Sequence, residues 1–154
     1  MNTKTMLIAS DHAGFKLKEA LKKYLSRIGI LSKDLGTYSE ERCDYPEYAY
    51  ALAKEISLKR YSRGILICKS GIGNSIVANR LPGVRAALCY NLKAATLCRA
   101  HNDSNVLVLG SGFVSPQLAK RILKRWLATG FTGGRHKRRL DLIRKIEKCI
   151  GRSK

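Results

Sequence analysis

GILICKSGIGNS, at residues 64–75, is the stretch that narrows the choice of fold the most. Its apolar start is typical of a buried strand, and the run ends in Cys68. Lys69, a serine and two glycines follow, and such a turn lets backbone N–H groups approach an anionic ligand where a helix begins. The pattern predicts a strand, a glycine-rich turn and a helix, with a thiol at the end of the strand.

Similar strands and helices alternate along the chain. Apolar runs predict strands at 6–9, 30–35, 64–68, 84–89 and 106–109, and helical spacing predicts helices at 13–28, 46–59, 73–81, 91–100, 116–128 and 137–150. This alternation predicts an α/β fold, a Rossmann-like three-layer sandwich around a five-stranded parallel sheet. We expect the strand order 2-1-3-4-5, a C-terminal basic helix, and one domain over residues 1–154.

Length and composition restrict the class of protein. A chain of 154 residues with 45% hydrophobic content suits one globular domain. No apolar run is long enough to cross a membrane, and the first residues do not resemble a signal peptide, so we expect a cytoplasmic protein without a membrane partner.

The five cysteines lack the spacing of a zinc site or a disulfide framework. Cys89 and Cys98 are interpreted as small buried apolar residues.

The formal net charge is +19, and much of it lies in the last third of the chain. A positive field of this size attracts sugar phosphates, nucleic acids and other anions without choosing among them. A solvated basic face on the last two helices is the alternative interpretation.

The sheet predicts where a site lies. In open parallel sheets, ligands bind beyond the carboxyl ends of the strands where the strand order reverses, here between strands 1 and 3. Ser10, Asp11 and His12 follow strand 1, and Cys68 with the glycine-rich turn follows strand 3. The partial positive charge where a helix begins favours a thiolate, which can act as a base or nucleophile. A purely structural buried thiol remains the alternative for Cys68.

A second group of candidates lies elsewhere in the chain. His101 comes between helix 4 and strand 5, and Arg135 and Arg139 are spaced to share one face where the last helix begins. These residues are also compatible with an ordinary helix end and a basic helix start. Topology puts His101 and Arg135 at the amino-terminal edge of the sheet, away from Cys68. If they act together, a second subunit must supply one group, as in an isologous dimer.

The chain resembles the ribose-5-phosphate isomerase B family, which includes the galactose-6-phosphate isomerase subunits. The resemblance rests on collinear segments that cover nearly the whole chain. They are SDHAGF at 10–15, DLGTYSEERCDYPEYA at 34–49, GILICKSGIGNSIVANR at 64–80, GVRAALC at 83–89, RAHNDSNVLVLGSG at 99–112 and GGRHKRR at 133–139.

The resemblance implies an intramolecular oxidoreductase that needs no cofactor or metal. It would interconvert ribose 5-phosphate and ribulose 5-phosphate through an enediolate, in the non-oxidative pentose phosphate pathway. It would work as a homodimer or a dimer of dimers with shared sites, with helix 137–150 packed on the partner. Cys68 resembles the base that moves a proton between C2 and C1, Ser70 the group that moves a proton between O1 and O2, and His101 the acid/base that opens the sugar ring.

The remaining site residues are also implied by the resemblance. The positions that match sugar contacts are Asp11, His12, Asp44, Tyr45 and Asn102. The backbone that would hold the enediolate belongs to Lys69, Ser70, Gly71, Ile72 and Gly73. The phosphate-binding pair is Arg135 and Arg139.

Two positions depart from the family pattern. Lys69 stands where the family usually has glycine, so it either strains a backbone with positive φ or adds a cation beside the enediolate. Gly112 stands where the family often has an arginine that aids phosphate binding. Lys69 and Lys137 are candidates to replace that arginine.

Two alternatives stay open. One is an isomerase of a six-carbon phosphosugar, galactose or allose 6-phosphate, which pocket size would decide. The other is a basic nucleic-acid-binding protein derived from this fold. Nucleic acid is not the expected partner, because the chain has no RNP or helix-turn-helix pattern and only three Phe and one Trp for base stacking.

Overall fold

The elements of the chain follow the predicted alternation of strands and helices. The structure, a computed structural model, describes residues 5–152. The strands are β1 (Thr5–Ser10), β2 (Leu31–Asp34), β3 (Gly64–Cys68), β4 (Ala86–Leu88) and β5 (Val106–Gly110). The helices are α1 (Phe15–Arg27), α2 (Tyr45–Ser57), α3 (Ile72–Ala78), α4 (Leu92–Ala100), α5 (Pro116–Ala128) and α6 (Arg135–Arg152), with a 3₁₀ turn at His12–Gly14. Residues 1–4 and 153–154 of the predicted domain lie outside the described part.

All five strands are parallel, which confirms the predicted α/β class, but their order is β2-β1-β3-β5-β4. The predicted order 2-1-3-4-5 was wrong for the last two strands. The five residues of β5 are all buried, whereas the three residues of β4 are all partly exposed. The continuously apolar strand therefore takes the inner place beside β3, and the short strand takes the edge.

The exchange of β4 and β5 decides which helices share a face of the sheet. The chain skips one place from β3 to β4 and then returns to β5. Right-handed crossovers accordingly put α2 and α3 on one face and α1 and α4 on the other. Helix α5 follows the last strand and packs on the same face as α1 and α4. Side chains of β5 alternate between the two resulting cores, with Leu107 and Leu109 on the α1/α4/α5 side and Val106 and Val108 on the α2/α3 side.

Helix α6 begins two residues before the predicted start at 137. It packs against other elements of the same chain. Leu140 is buried, and the Glu147 carboxylate accepts a hydrogen bond from the Gly83 backbone N–H at 3.0 Å. Four apolar side chains of the helix are exposed: Leu142, Ile143, Ile146 and Ile150. The packing of this helix on a partner subunit stays a prediction. Across residues 5–152, no helix is long and apolar enough to span a membrane.

Candidate active site

Three strands end close together at the carboxyl edge of the sheet. The Asp11 backbone N–H, which follows β1, donates to the carbonyl of Ile67 in β3 at 3.3 Å. The Ser111 hydroxyl, which follows β5, donates to the carbonyl of Ala13 at 2.7 Å. The segments after β1, β3 and β5 therefore line one crevice, as the switch-point argument predicts for β1 and β3.

The Cys68 thiol ends β3, the middle of these three strands. Cys68 is 4% exposed, and its sulfur accepts a hydrogen bond from the backbone N–H of Gly71 at 3.1 Å. Gly71 has φ +82, a conformation that residues with a side chain rarely adopt. This turn aims a backbone N–H donor at the sulfur.

The loop that follows Cys68 is held from outside by Tyr90. The Tyr90 hydroxyl donates to the carbonyl of Ser70 at 2.7 Å, while the Ser70 hydroxyl accepts from the N–H of Ile72 at 3.2 Å. Lys69 is exposed and is not among the described residues with positive φ, which apart from glycines are Lys59 and Asp103. The lysine therefore fits the loop without backbone strain, and it adds a cation at the mouth of the crevice.

Asp11 and His12 contribute a carboxyl and an imidazole to the same crevice. Asp11 is buried, and its Oδ1 accepts a hydrogen bond from the N–H of Gly14 at 2.9 Å. Burial raises the pKa of the Asp11 carboxyl above its ordinary value, although the hydrogen bond from Gly14 opposes the rise. Nδ1 of His12 lies 3.1 Å from the carbonyl oxygen of Cys43, so the ring is oriented by the segment before α2.

The segment before α2 also reaches the glycine-rich loop. A Cβ atom on Gly73 would lie 2.8 Å from the Tyr45 hydroxyl, so the bare backbone there makes room for the tyrosine ring. Asp44 precedes α2 with extended backbone (φ −92, ψ 120), and its carboxylate does not cap the helix. Tyr45 therefore lies against the glycine-rich loop, and Asp44 directly precedes it where α2 begins.

His101 and Asn102 lie at the opposite, amino-terminal edge of the sheet. His101 follows the last residue of α4, and the Asn102 carbonyl accepts from Nε of Arg85, which directly precedes β4, at 3.0 Å. The intervening strand β5 has five residues, which at about 3.3 Å each span roughly 15 Å. The structure therefore does not bring His101 together with Cys68 within one chain.

Arg135 and Arg139 share the edge of His101. The loop before α6 is tied to α4 by Thr132, whose N–H and hydroxyl both donate to the carbonyl of Ala100, at 3.0 and 2.7 Å. Both arginines are exposed in the first turns of α6, and within the described residues neither forms an ion pair with a carboxylate. Two unpaired guanidinium groups one turn apart form a suitable phosphate clamp.

His136 belongs to this second cluster and was missed from the sequence. Its ring stacks on that of His101, with centroids 4.0 Å apart and planes 5° apart. Burial and the nearby charges of His101, Arg135 and Arg139 lower the pKa of His136. The residue sits inside the GGRHKRR segment, but its role depends on the loop that brings α6 back to the end of α4, which sequence spacing does not reveal.

No group of three or more His, Cys, Asp or Glu side chains within the described chain is arranged to hold a metal ion. The groups that the described residues bring to the crevice are the thiol, the loop amides, the carboxyl groups and the imidazole described above.

Comparison with known proteins identifies the family. The family model described as Ribose/Galactose Isomerase matches residues 6–143. Ribose-5-phosphate isomerase B of Escherichia coli is 43% identical over 144 residues, which cover 94% of this chain and 97% of the relative. The solved Clostridium thermocellum ribose-5-phosphate isomerase B has a TM-score of 0.93 at 41% identity and covers 95% of this chain and 99% of its own.

A further solved relative carries a ligand. Ribose-5-phosphate isomerase B of Mycoplasma genitalium, with bound ribulose 5-phosphate, has a TM-score of 0.90 at 38% identity and covers 96% of this chain and 98% of its own. Sequence and fold agree over nearly the full length of each chain, and the predicted resemblance is confirmed. This chain belongs to the ribose/galactose isomerase family.

Proposed function

We propose that this protein interconverts ribose 5-phosphate and ribulose 5-phosphate without a cofactor or metal, as a cytoplasmic enzyme of the non-oxidative pentose phosphate pathway. The observation that carries the proposal is the buried Cys68 sulfur, which accepts a hydrogen bond from the Gly71 amide of a glycine-rich loop, in a chain of this family. The ribulose 5-phosphate bound to the Mycoplasma genitalium relative supports a five-carbon phosphosugar as the substrate.

Cys68 acts as the base for the proton transfer. The thiolate removes the proton from C2 of the open-chain aldose, and the electron pair moves into the C1–C2 bond as the C1 carbonyl becomes an enediolate oxygen. The backbone N–H groups of residues 69–73 stabilise that negative charge, as an oxyanion hole does. Ser70 moves a proton between O2 and O1, and Cys68 then returns its proton to C1 to give the ketose.

The carboxyl edge also holds the sugar. Asp11, His12, Asp44 and Tyr45 border the crevice with groups that hydrogen-bond to hydroxyls. The raised pKa of Asp11 suits a carboxyl group that exchanges hydrogen bonds with hydroxyls. Lys69 adds a positive charge beside the enediolate and the phosphate.

The complete site requires two copies of the chain. His101 and Asn102 lie about one strand length, roughly 15 Å, away from Cys68 in their own chain, which is too far for one five-carbon sugar to bridge. His101, Arg135 and Arg139, at the amino-terminal edge of the sheet, form the amino-edge cluster. In an isologous dimer each copy contributes its amino-edge cluster to the crevice of the other. His101 of one copy then opens the sugar ring, and Arg135 and Arg139 bind the phosphate.

Turnover of ribose 5-phosphate in the presence of EDTA tests the proposal. Wild type is compared with Cys68→Ala, and Cys149→Ala serves as a matched control because Cys149 is an exposed cysteine on α6. We expect turnover that resists EDTA, a loss of about 10³-fold or more in Cys68→Ala, and an unaffected control.

Full activity in Cys68→Ala would overturn the role of the thiol. Absence of ribose 5-phosphate turnover in the wild type, with turnover of galactose or allose 6-phosphate instead, would overturn the choice of substrate but keep the reaction class.

A further inference from the structure

Two cysteines outside the proposed site lie in contact. Sγ of Cys89, directly after β4, is 3.7 Å from Sγ of Cys98 in the last turns of α4. Cys89 is fully buried and Cys98 is half-buried. Two thiols at this distance are candidates for disulfide formation, since their sulfurs can bond to each other without a third residue.

The surroundings make Cys98 the more reactive of the two thiols. The Ser104 hydroxyl donates to Sγ of Cys98 at 3.2 Å, and Nε1 of the buried Trp126 donates to the Ser104 oxygen at 2.7 Å, which directs the serine proton to the sulfur. The contact with the Cys89 sulfur, together with the hydrogen bond from Ser104 and the charge of Arg99, lowers the pKa of Cys98 to about 7. The same contact raises the pKa of Cys89.

A small oxidant has a route to Cys98. A groove of about 380 Å³ lies between α6 and the β4 edge of the sheet, and Cys98 and Ser104 form part of its lining. Leu140, Ile143 and Ile146 of α6 form the apolar side of the groove. Hydrogen peroxide is small and uncharged, so it can enter this groove, whereas Cys89 is fully buried and is not part of the groove lining.

We propose that Cys89 and Cys98 form an oxidisable dithiol that hydrogen peroxide converts to a disulfide. The Cys98 thiolate attacks one peroxide oxygen, the O–O bond breaks, and the departing hydroxide takes up a proton to become water. The resulting sulfenic acid on Cys98 is attacked by the sulfur of Cys89, which forms the S–S bond and releases a second water. The two sulfurs are oxidised by two electrons in total, the peroxide is reduced, and an added dithiol reverses the change.

Disulfide formation acts on the amino-edge cluster. His101 follows Cys98 by three residues, or about one helical turn. The sulfurs must approach from 3.7 Å to the ~2 Å of a disulfide bond, which draws the last turn of α4 towards β4. A displacement of about 1 Å at a catalytic group lowers turnover by roughly 100-fold. The effect on turnover rests on the proposed role of His101, whereas formation of the disulfide does not.

The experiment treats the protein with graded hydrogen peroxide, blocks the remaining thiols with iodoacetamide, and maps the peptides by mass spectrometry. We expect a peptide pair linked through Cys89 and Cys98 that has lost two hydrogen atoms and disappears after dithiothreitol. Cys98→Ser and Cys89→Ala should not form the link, and Cys149→Ser, the matched control, should form it as the wild type does.

Turnover of ribose 5-phosphate is followed on the same samples. We expect wild type and Cys149→Ser to lose roughly tenfold or more of their turnover and to regain it with dithiothreitol. Oxidation of Cys68 would affect every variant equally, so resistance of Cys98→Ser isolates the dithiol. Oxidation of Cys149 without a Cys89–Cys98 link would overturn the proposal. A link without loss of turnover would overturn the coupling to His101. An inactive untreated protein that still forms the link would count against the proposed function alone.

Discussion

The Lys69 side chain lies across the backbone of Gly112. A Cβ atom built on Gly112 would stand 3.1 Å from Cε of Lys69, and the Gly112 N–H donates to the Lys69 carbonyl at 2.9 Å. The two departures from the family pattern are thus one structural unit, because the lysine stem fills the space that a side chain at 112 would enter. The cation at position 69 is therefore placed to replace an arginine at position 112.

The first prediction concerns this pair. Gly112→Arg alone should lower turnover and stability because its side chain meets Lys69, and Lys69→Gly alone should raise KM for ribose 5-phosphate because a cation is lost. The double variant should recover most of both losses, with a coupling energy of about 1 kcal/mol or more. Measured kcat and KM for all four proteins check this. Simply additive effects would mean that the two positions are independent.

The second prediction concerns a buried lysine. Lys18 has a fully buried side chain, and its ammonium donates to the Asp34 carboxylate at 2.7 Å and to the Thr37 carbonyl at 2.6 Å. Lys18→Met should lower the free energy of unfolding by about 2 kcal/mol, since the buried Thr37 carbonyl loses its donor while Asp34 keeps Lys22 as its remaining ammonium partner. Urea unfolding measures the change. Lys16→Met is the matched control, because the Lys16–Glu40 ion pair is exposed and should contribute less than about 1 kcal/mol.

The third prediction concerns Tyr90, which supports the catalytic loop through its hydrogen bond to the Ser70 carbonyl. Tyr90→Phe should lower kcat by roughly fivefold, since about 1 kcal/mol of hydrogen bonding that positions the loop is lost. KM should change less, because the hydroxyl is not a substrate contact. Tyr50→Phe, on an exposed tyrosine of α2, is the control. Equal kcat values in both variants would show that the loop does not need this support.

The fourth prediction concerns pH. The pKa of His136 is lowered by burial and by His101, Arg135 and Arg139, so the unfolded chain binds its proton at higher pH than the folded protein does. The stabilisation is present above about pH 6.5, the ordinary value for histidine, and is lost as pH falls through the folded pKa. Urea midpoints should therefore fall less in His136→Gln than in wild type between about pH 7 and about pH 5. Parallel curves would contradict the assigned shift.

Much of the fold could be predicted because its signals are local. Apolar runs and helical spacing located the strands and helices within a few residues, and the polar groups that follow β1 and β3 located the crevice. The positions of β4 and β5 could not be predicted with equal success, because strand neighbours depend on the crossovers. A cue was nevertheless available, since Val106–Gly110 is continuously apolar and suits an inner strand better than the short β4 does.

Other features could not be predicted from the sequence. Some depend on contacts between segments that are distant in the chain, and one depends on the burial of a charged side chain. His136 meets His101 only because the loop at 129–134 returns to α4, and Cys89 meets Cys98 only through the packing of α4 beside β4. Lys18 occupies a core-facing position of α1 that spacing alone would assign to an apolar residue. Sequence patterns report periodicity, and they do not report which polar groups will find buried partners.

Subunit complementation tests the central proposal, a site built from Cys68 of one copy and His101 of another. Cys68→Ala and His101→Ala should each be inactive on ribose 5-phosphate. The two variants are mixed in equal amounts, unfolded and refolded together. Half of the resulting dimers should contain both variants, and each of these should have one intact site out of two, so turnover should return to about a quarter of the wild-type value. A mixture that refolds into mixed dimers yet stays as inactive as its components would contradict the shared site.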